Sequence, residues 1–183
     1  MTISIRNGDM EDVSAICAIE RESFGDPWTR AMFYAYIRGS ACYQLAVAVC
    51  AGSVVGYAVT QLVEEESELL NIAVHSACRS RGVGGALLGD AMSRARVAGA
   101  TEMWLDVRAS NLRARALYAK RGFCEMSVRR RYYVSPVEDA VVMRAELASM
   151  RNESVRCAGR SFSSASGEVI LSPASHFPRQ ETQ

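Results

Sequence analysis

Apolar and polar side chains alternate along this chain with two periods, one typical of strands and one typical of helices. Residues 2–6 alternate with period two, which predicts a half-buried first strand. Apolar residues at helical spacing follow Asp9 and Thr29, whose side chains can cap helices, so two helices are expected there. Apolar runs at 45–49 and 54–63 flank a short turn that contains glycine, and they predict a β-hairpin.

After this hairpin, strands and helices continue in alternation. The elements expected there, in chain order, are strand 68–74, helix 84–98, strand 102–107, helix 112–120 and strands 123–129 and 140–147. Asn111 can cap the second of these helices, and a loop that contains tyrosine and proline is expected to join the last two strands. The predicted fold class is therefore α/β, a mixed sheet with helices on both faces.

Composition changes at about residue 148. Residues 1–148 have the length and apolar content of one folded domain. Serines then crowd the sequence together with Pro173 and Pro178, so residues 149–183 are expected to form a serine-rich, largely disordered C-terminal tail. A docking segment around Val169 is the alternative for this part of the chain.

Charge balance and apolar run length argue against several classes of function. The 21 basic residues nearly cancel the 20 acidic ones, and a net charge of +1 provides no field for holding nucleic acid. The longest apolar run, 45–51, is far shorter than the roughly 20 residues of a membrane-spanning helix. The sequence shows no signal-peptide pattern and no Cys-x-x-Cys pair, so we expect a cytoplasmic protein with free thiols and no metal.

A glycine-rich turn before the helix at 84–98 is the first candidate site. Its sequence is Arg79-Ser80-Arg81-Gly82-Val83-Gly84-Gly85. Glycines that open a helix leave backbone N–H groups uncovered at its positive end, which suits phosphate oxygens, and the arginines add charge. A tight turn that merely requires glycine is the alternative. The Walker A and dinucleotide patterns do not fit, because no lysine follows and position 87 is leucine.

The spacing Arg79-x-x-Gly82-x-Gly84 resembles the pyrophosphate loop of the GNAT superfamily of acyl-CoA-dependent N-acetyltransferases, and the order of elements is similar too. The resemblance implies a mostly antiparallel seven-stranded sheet whose fourth and fifth strands splay apart, with the thioester of acetyl-CoA in the gap. It implies pantetheine contacts from Ile72, Ala73 and Val74, and pyrophosphate contacts from Ser80, Arg81, Gly82, Val83, Gly84 and Gly85.

A narrower resemblance covers roughly residues 1–147. The matching segments are Pro27-Trp28-Thr29, Asn71-Ile72-Ala73-Val74, Trp104 to Asn111, Ala116-Leu117-Tyr118, Arg121-Gly122-Phe123, Arg129 to Tyr133 and Glu138-Asp139-Ala140. They are similar to the RimI type of GNAT enzyme, which acetylates the amino-terminal alanine of a small-subunit ribosomal protein. This implies a protein N-terminus as substrate and acetyl-CoA as cosubstrate. We expect a monomer or weak dimer without direct nucleic-acid or membrane partners.

Two side chains are candidates for acid–base chemistry. By the resemblance, Asp106 stands where the family usually has the glutamate that accepts the proton, and Tyr118 stands where it has the proton donor. Aspartate reaches ~1.5 Å less far, so either the amine lies closer or a water bridges the gap. The alternatives are that Asp106 binds the substrate ammonium or an arginine, and that Tyr118 packs on the sheet. Asn111 is expected to hydrogen-bond pantetheine, cap its helix, or do both.

Other positions have more than one interpretation. We interpret 129–133 as a loop that shapes the peptide groove, rather than as a nucleic-acid contact or a solvated edge. Trp28 and Phe33 either wall the substrate groove or belong to the core, and His75 is either a proton relay or an ordinary loop residue. Two alternative functions stay open, a GNAT enzyme acting on a small-molecule amine and a relative that binds coenzyme A without catalysis.

Overall fold

The computed structural model describes residues 2–39 and 42–147. In chain order the helices and strands are β1 (Ser4–Asn7), α1 (Val13–Ser23), α2 (Arg30–Arg38), β2 (Tyr43–Cys50), β3 (Ser53–Val63), β4 (Glu66–Val74), α3 (Val83–Val97), β5 (Glu102–Arg108), α4 (Leu112–Ala119), β6 (Cys124–Val134) and β7 (Val137–Glu146). A 3-10 turn, Ser76–Cys78, lies between β4 and α3. The tail expected over 149–183, with its alternative docking segment, lies outside the described residues.

The strands of the described residues form one seven-stranded sheet in the order β1-β2-β3-β4-β5-β7-β6. Neighbouring strands are antiparallel except β4 and β5, which run parallel. Helix α3 makes the crossover between these two, because parallel strands cannot be joined by a tight turn. The mixed, mostly antiparallel α/β sheet predicted from the sequence is therefore confirmed.

Strands β4 and β5 separate soon after they meet. They pair at three positions only, and the last pair joins Glu68 to Trp104. Beyond that pair, β4 continues to Val74 and β5 to Arg108 without pairing to each other. A bulge accompanies the separation: consecutive β3 residues pair with Leu69 and Asn71, which leaves Leu70 as an extra residue. The predicted splay between the fourth and fifth strands is therefore confirmed.

Apolar clusters pack on both faces of the sheet. One cluster joins β5 to α3 and α4 and contains the fully buried Leu88 and nearly fully buried Leu105. The other packs α1 and α2 against β2 and β3 through Ile16, Phe33 and Val59, which are all 0% exposed. Burying each such side chain contributes roughly 1.5–3 kcal/mol. Helices therefore cover both faces, as predicted.

The alternation of burial along β5 decides which face carries the candidate carboxylate. Met103, Leu105 and Val107 are buried in the cluster with α3 and α4. Successive side chains of a strand point to opposite faces. Asp106 therefore lies on the face that α1 and α2 cover, together with Trp104.

The predicted loop between the last two strands is wrong. Residues 129–133 belong to β6, and the turn before β7 contains only Ser135 and Pro136. The pairing of β6 with β7 is irregular between Arg129 and Tyr133, where Arg131 has a positive φ of 50°. Strand β6 is also an edge strand whose residues are mostly exposed, so it lacks the apolar alternation that identifies strands in a sequence.

The predicted helix caps are confirmed at two of three places. The side chains of Thr29 and Asn111 accept hydrogen bonds from the first turns of α2 and α4, at 3.3 and 3.1 Å. The first helix begins later than the Asp9 cap implies, with Asp12 at its N-cap position. Asp9 instead closes a local turn, because its carboxylate accepts from the backbone N–H of Glu11 at 2.9 Å.

Candidate active site

The glycine-rich loop ends at the start of α3, beside the C-terminal end of β4. Gly82 occupies the N-cap position in the left-handed conformation with φ of 85°, and no side chain among the described residues caps the helix. The first hydrogen bond of the helix runs from the N–H of Ala86 to the carbonyl of Gly82. The N–H groups of residues 83–85 therefore have no acceptor within the helix, and they lie at its positive end. This arrangement suits an anion, as the sequence suggested.

Arginines surround this loop in different roles. Arg79 braces the end of β4, because its Nε donates to the carbonyl of Val74 at 2.9 Å and its Nη2 donates to Ser23 at 3.0 Å. Arg113, in the first turn of α4, donates to the hydroxyl of Ser80 at 2.7 Å. Arg113 was not among the residues predicted from the sequence, since only the tertiary structure brings α4 next to the loop. In the sequence, only its position two residues after the predicted cofactor ligand Asn111 indicated that Arg113 could lie near the site.

Strand β4 offers one edge to the gap. Its last residues pair with β3 through Ala58↔Ile72, Tyr57↔Ala73 and Gly56↔Val74, and no strand from the described part of the chain lies on their other side. Backbone groups on that free side can bind a ligand in the manner of an added strand. Gly56 permits the close packing behind this edge, because a Cβ there would lie 2.9 Å from the carbonyl oxygen of Ala73.

Asp106 lies on β5, two residues beyond the last pair with β4. Its Oδ2 accepts from Nη1 of Arg129 at 3.0 Å. Its Oδ1 is buried and has no hydrogen-bond partner among the described residues. Burial raises the pKa of Asp106, while the Arg129 charge and the Tyr132 phenol act in the opposite direction. The carboxyl is thus held through Oδ2, while Oδ1 stays unpaired among the described residues.

Tyr118 lies near the end of α4 and is 6% exposed. Its ring packs against Phe123 with centroids 5.8 Å apart, inside the cluster on the α3 and α4 face. Burial alone raises its pKa to about 12, so the phenol stays protonated at neutral pH. The packing role and a role as hydrogen-bond donor are compatible, because the ring packs and the hydroxyl donates.

Two aromatic side chains of β6 complete the surroundings of Asp106. The guanidinium of Arg129 lies over the Tyr132 ring at 5.5 Å, and that of Arg108 lies over the Tyr133 ring at 4.1 Å. Burial raises the pKa of Tyr133, and the charges of Asp106 and, more weakly, Tyr118 add to the effect. Tyr133 is therefore within electrostatic range of both candidate catalytic residues.

Arg108 fixes the β6–β7 hairpin to β5. It donates to the backbone carbonyls of Ser135 and Pro136 at 3.0 and 3.2 Å and forms an ion pair with Glu138 at 3.2 Å. This role of Arg108 was not predicted from the sequence, because a loop was expected where the hairpin lies. The hairpin, rather than a loop, therefore forms this side of the site.

The remaining candidates have structural roles. Phe33 is fully buried and packs edge-on against Tyr57, so it belongs to the core. Trp28 is half-buried and stacks on Tyr36 with centroids 5.0 Å apart. His75 accepts through Nδ1 from the N–H of Ala77 at 3.3 Å and caps the 3-10 turn.

Residues 2–39 and 42–147 contain neither a metal-binding cluster nor a membrane-spanning helix. No three His, Cys, Asp or Glu side chains there come together in a group that could hold a metal ion. Within the same ranges no helix has the length and apolar content needed to cross a membrane.

Comparison with known proteins gives the family. Residues 13–123 match the model of the acetyltransferase (GNAT) family. The chain is 35% identical over 144 residues to a ribosomal protein bS18-alanine N-acetyltransferase of Salmonella typhimurium, covering 78% of this chain and 95% of that protein. It is 34% identical over 142 residues to the Escherichia coli K12 enzyme of the same name, covering 76% and 95%.

A solved structure supports the same family assignment. The crystal structure of the ribosomal-protein-S18-alanine N-acetyltransferase from Escherichia coli superposes with a TM-score of 0.75 and 32% identity over 85% of this chain and 99% of that one. The splayed sheet and the glycine loop are thus found in a chain whose relatives are acetyltransferases by name. This protein is an acyltransferase that belongs to the GNAT family, in its RimI-type branch.

Proposed function

We propose that the protein transfers an acetyl group from acetyl-CoA to the α-amine of an N-terminal alanine on a small-subunit ribosomal protein. The observation that carries the proposal is the position of Asp106 beside the gap between β4 and β5, with one carboxyl oxygen bound to Arg129 and the other unpaired among the described residues. The names of the relatives support the choice of substrate, because two enzymes at 34% and 35% identity are named for alanine acetylation of ribosomal protein bS18.

The chain offers groups for each part of acetyl-CoA. Backbone groups of Ile72, Ala73 and Val74 would hold pantetheine and the acetyl oxygen along the free edge of β4. The loop Ser80–Arg81–Gly82–Val83–Gly84–Gly85 would hold the pyrophosphate with its N–H groups. Asn111 caps α4 with its side-chain oxygen, and its NH2 group can still donate to pantetheine.

Asp106 would accept the proton that the α-amine must lose before it attacks the thioester. A peptide α-amine has a pKa of about 7.7–8.0, so a minority is already neutral at pH 7. Burial raises the pKa of Asp106, which makes its carboxylate a stronger base than an exposed aspartate. The proton passes from the ammonium to Oδ1, directly or through one water, and the amine lone pair is then free to attack.

Tyr118 would stabilise the sulfur as the C–S bond breaks. A thiol has a pKa of about 8.5, whereas burial raises the pKa of Tyr118 to about 12. Complete proton transfer to the thiolate is therefore uphill. The phenol acts best as a hydrogen-bond donor to the developing negative charge. The nitrogen releases its second proton to solvent once the C–N bond has formed, and the thiolate takes up a proton from solvent.

A peptide assay tests this function. We expect a peptide that begins with alanine to gain one acetyl group when it is mixed with the protein and acetyl-CoA, as measured by mass spectrometry. The same peptide with its α-amine replaced by hydrogen provides the control and should stay unmodified, even with lysine side chains present. An unmodified alanine peptide beside an acetylated small amine would refute the proposal.

The ion pair between Arg129 and Asp106 predicts a pH effect. Arg129→Met removes the positive charge that favours the carboxylate, so the pKa of Asp106 should rise further. The acid limb of kcat/KM, measured from about pH 5 to 9, should therefore move to higher pH, with little change on the alkaline side.

Arg130→Met is the matched control for this shift. Arg130 pairs with Asp139 instead, and its side chain is 83% exposed. Its substitution should leave the position of the acid limb where it is in the wild type. If the acid limb of kcat/KM lay at the same pH in the Arg129 variant and in the wild type, Asp106 would not be the titrating group.

A further inference from the structure

A buried carboxyl on α1 lies outside the proposed machinery. Glu20 is 1% exposed. Its Oε1 accepts from the backbone N–H of Trp28 at 2.9 Å and from Nδ2 of Asn71 at 3.2 Å, and its Oε2 accepts from the Tyr57 hydroxyl. Burial raises the pKa of Glu20, and these three donors offset the rise only in part. A carboxyl so buried is costly without such partners, so the cluster fixes the side chains that form it.

The cluster determines the orientation of the Asn71 amide. A carboxylate only accepts hydrogen bonds, so the NH2 group of Asn71 must face Glu20. The Asn71 Nδ2 atom lies 3.2 Å from Oε1 and 3.4 Å from Oε2 of Glu20, so it faces both carboxylate oxygens. The oxygen of the Asn71 amide consequently points away from Glu20.

The sheet register places Asn71 level with Asp106. Glu68 pairs with Trp104 at the last β4–β5 pair, and Asp106 lies two positions further along β5. On β4 the bulge adds one residue between Glu68 and Asn71. Their partners on β3 are two residues apart, so Asn71 is also two register positions beyond Glu68. Both residues lie on the face covered by α1 and α2, since Asn71 contacts Glu20 there. Asn71 and Asp106 therefore stand on opposite sides of the gap.

We propose that Glu20 is a positioning residue that holds the Asn71 amide so that its oxygen receives an N–H of the substrate α-amine, across the gap from Asp106. The inference rests on the proposed function. An α-ammonium has three N–H bonds; Asp106 takes one proton, and the neutral amine keeps two N–H bonds and a lone pair. An acceptor on the β4 side that binds one of these N–H bonds restricts the rotation of the amine and directs the lone pair towards the thioester.

A binding cycle tests the contact with Asn71. The dissociation constants of an alanine-starting peptide and of the same peptide with the α-amine replaced by hydrogen are measured by calorimetry with saturating coenzyme A, which carries no acetyl group. The dissociation constant of the peptide without the amine, divided by that of the alanine peptide, reports the contribution of the amine to binding. We expect this ratio to fall about tenfold in Asn71→Leu, because one hydrogen bond to a polar or charged group is lost.

Gln61→Leu is the matched control, since it makes the same amide-to-aliphatic change on β3, opposite Glu68. Its ratio should stay within about twofold of the wild type. A wild-type ratio in Asn71→Leu, or an equal fall in Gln61→Leu, would contradict the inference. Acetylation of the alanine peptide by the wild-type protein tests the proposed function separately, so the two can fail independently.

Two substitutions of Glu20 test its positioning role. Glu20→Gln keeps an oxygen that accepts from Trp28 and Asn71, and we expect it to keep the wild-type ratio. Glu20→Met cannot hold the amide, and we expect its ratio to fall as in Asn71→Leu. A reduced ratio in Glu20→Gln, or a wild-type ratio in folded Glu20→Met, would refute the role of Glu20. If the Met variant does not fold, the Gln variant keeps the inference falsifiable, because a reduced ratio there would still contradict it.

Discussion

Asp106→Asn is expected to lower kcat/KM for an alanine-starting peptide by about 100-fold, the low end of what a general base contributes. The amide keeps the size of the carboxyl and an oxygen for Arg129 but accepts no proton. Steady-state kinetics at pH 7 measure the loss. The affinity for coenzyme A, measured by calorimetry, should stay within about twofold because Asp106 is not among the residues proposed to bind it.

Thermal stability separates this loss from misfolding. Burial raises the pKa of Asp106 above its ordinary value. A carboxyl of this kind contributes stability that is fully present below its unfolded pKa and is lost as pH rises through the folded pKa. At pH 7 Asp106→Asn should therefore be at least as heat-stable as the wild type, and this advantage should disappear in acid. A variant that keeps full activity would remove Asp106 from the chemistry.

Tyr118→Phe is expected to lower kcat by about 100-fold, because one hydrogen bond to the developing thiolate is lost in a buried site. The phenylalanine ring fills the same space against Phe123, so packing and the KM for acetyl-CoA should change little. A fall in kcat and kcat/KM by the same factor is the signature of an interaction made only in the transition state.

Tyr34→Phe gives the background for this measurement. Tyr34 lies on α2, where its ring contacts Arg38, and it has no part in the proposed machinery. The Tyr34→Phe substitution removes a hydroxyl and should leave kcat unchanged. If Tyr118→Phe turned over as fast as Tyr34→Phe, Tyr118 would be a packing residue only, which was the alternative from the sequence.

The two losses differ in how they should depend on the substrate. Asp106 acts on the attacking amine, so a peptide studied at alkaline pH, where more amine is already neutral, should suffer less from Asp106→Asn. Tyr118 acts on the leaving sulfur, which is the same for every amine. The effect of Tyr118→Phe should therefore be similar at pH 7 and at alkaline pH.

Sequence patterns predicted most elements of the fold because these depend on neighbouring residues. The caps Thr29 and Asn111 bond to N–H groups three residues later, and Gly82 adopts the left-handed conformation that its turn requires. The prediction failed at β6, where exposed arginines on an edge strand carry no periodic signal. It also failed at Asp9, since the cap position went to Asp12, which Arg6 holds by two hydrogen bonds at 2.6 and 2.8 Å.

The sequence by itself determined the strand and helix order and the glycine turn at the start of α3, because periodicity and caps are short-range properties. The candidates Asp106 and Tyr118 came from the resemblance to RimI-type enzymes. Only the tertiary structure decided which partners those residues have. Arg129 meets Asp106 from 23 residues away and Asn71 meets Glu20 from 51 residues away. Contacts of this kind depend on strand register, bulges and helix packing, which no local pattern of residues specifies.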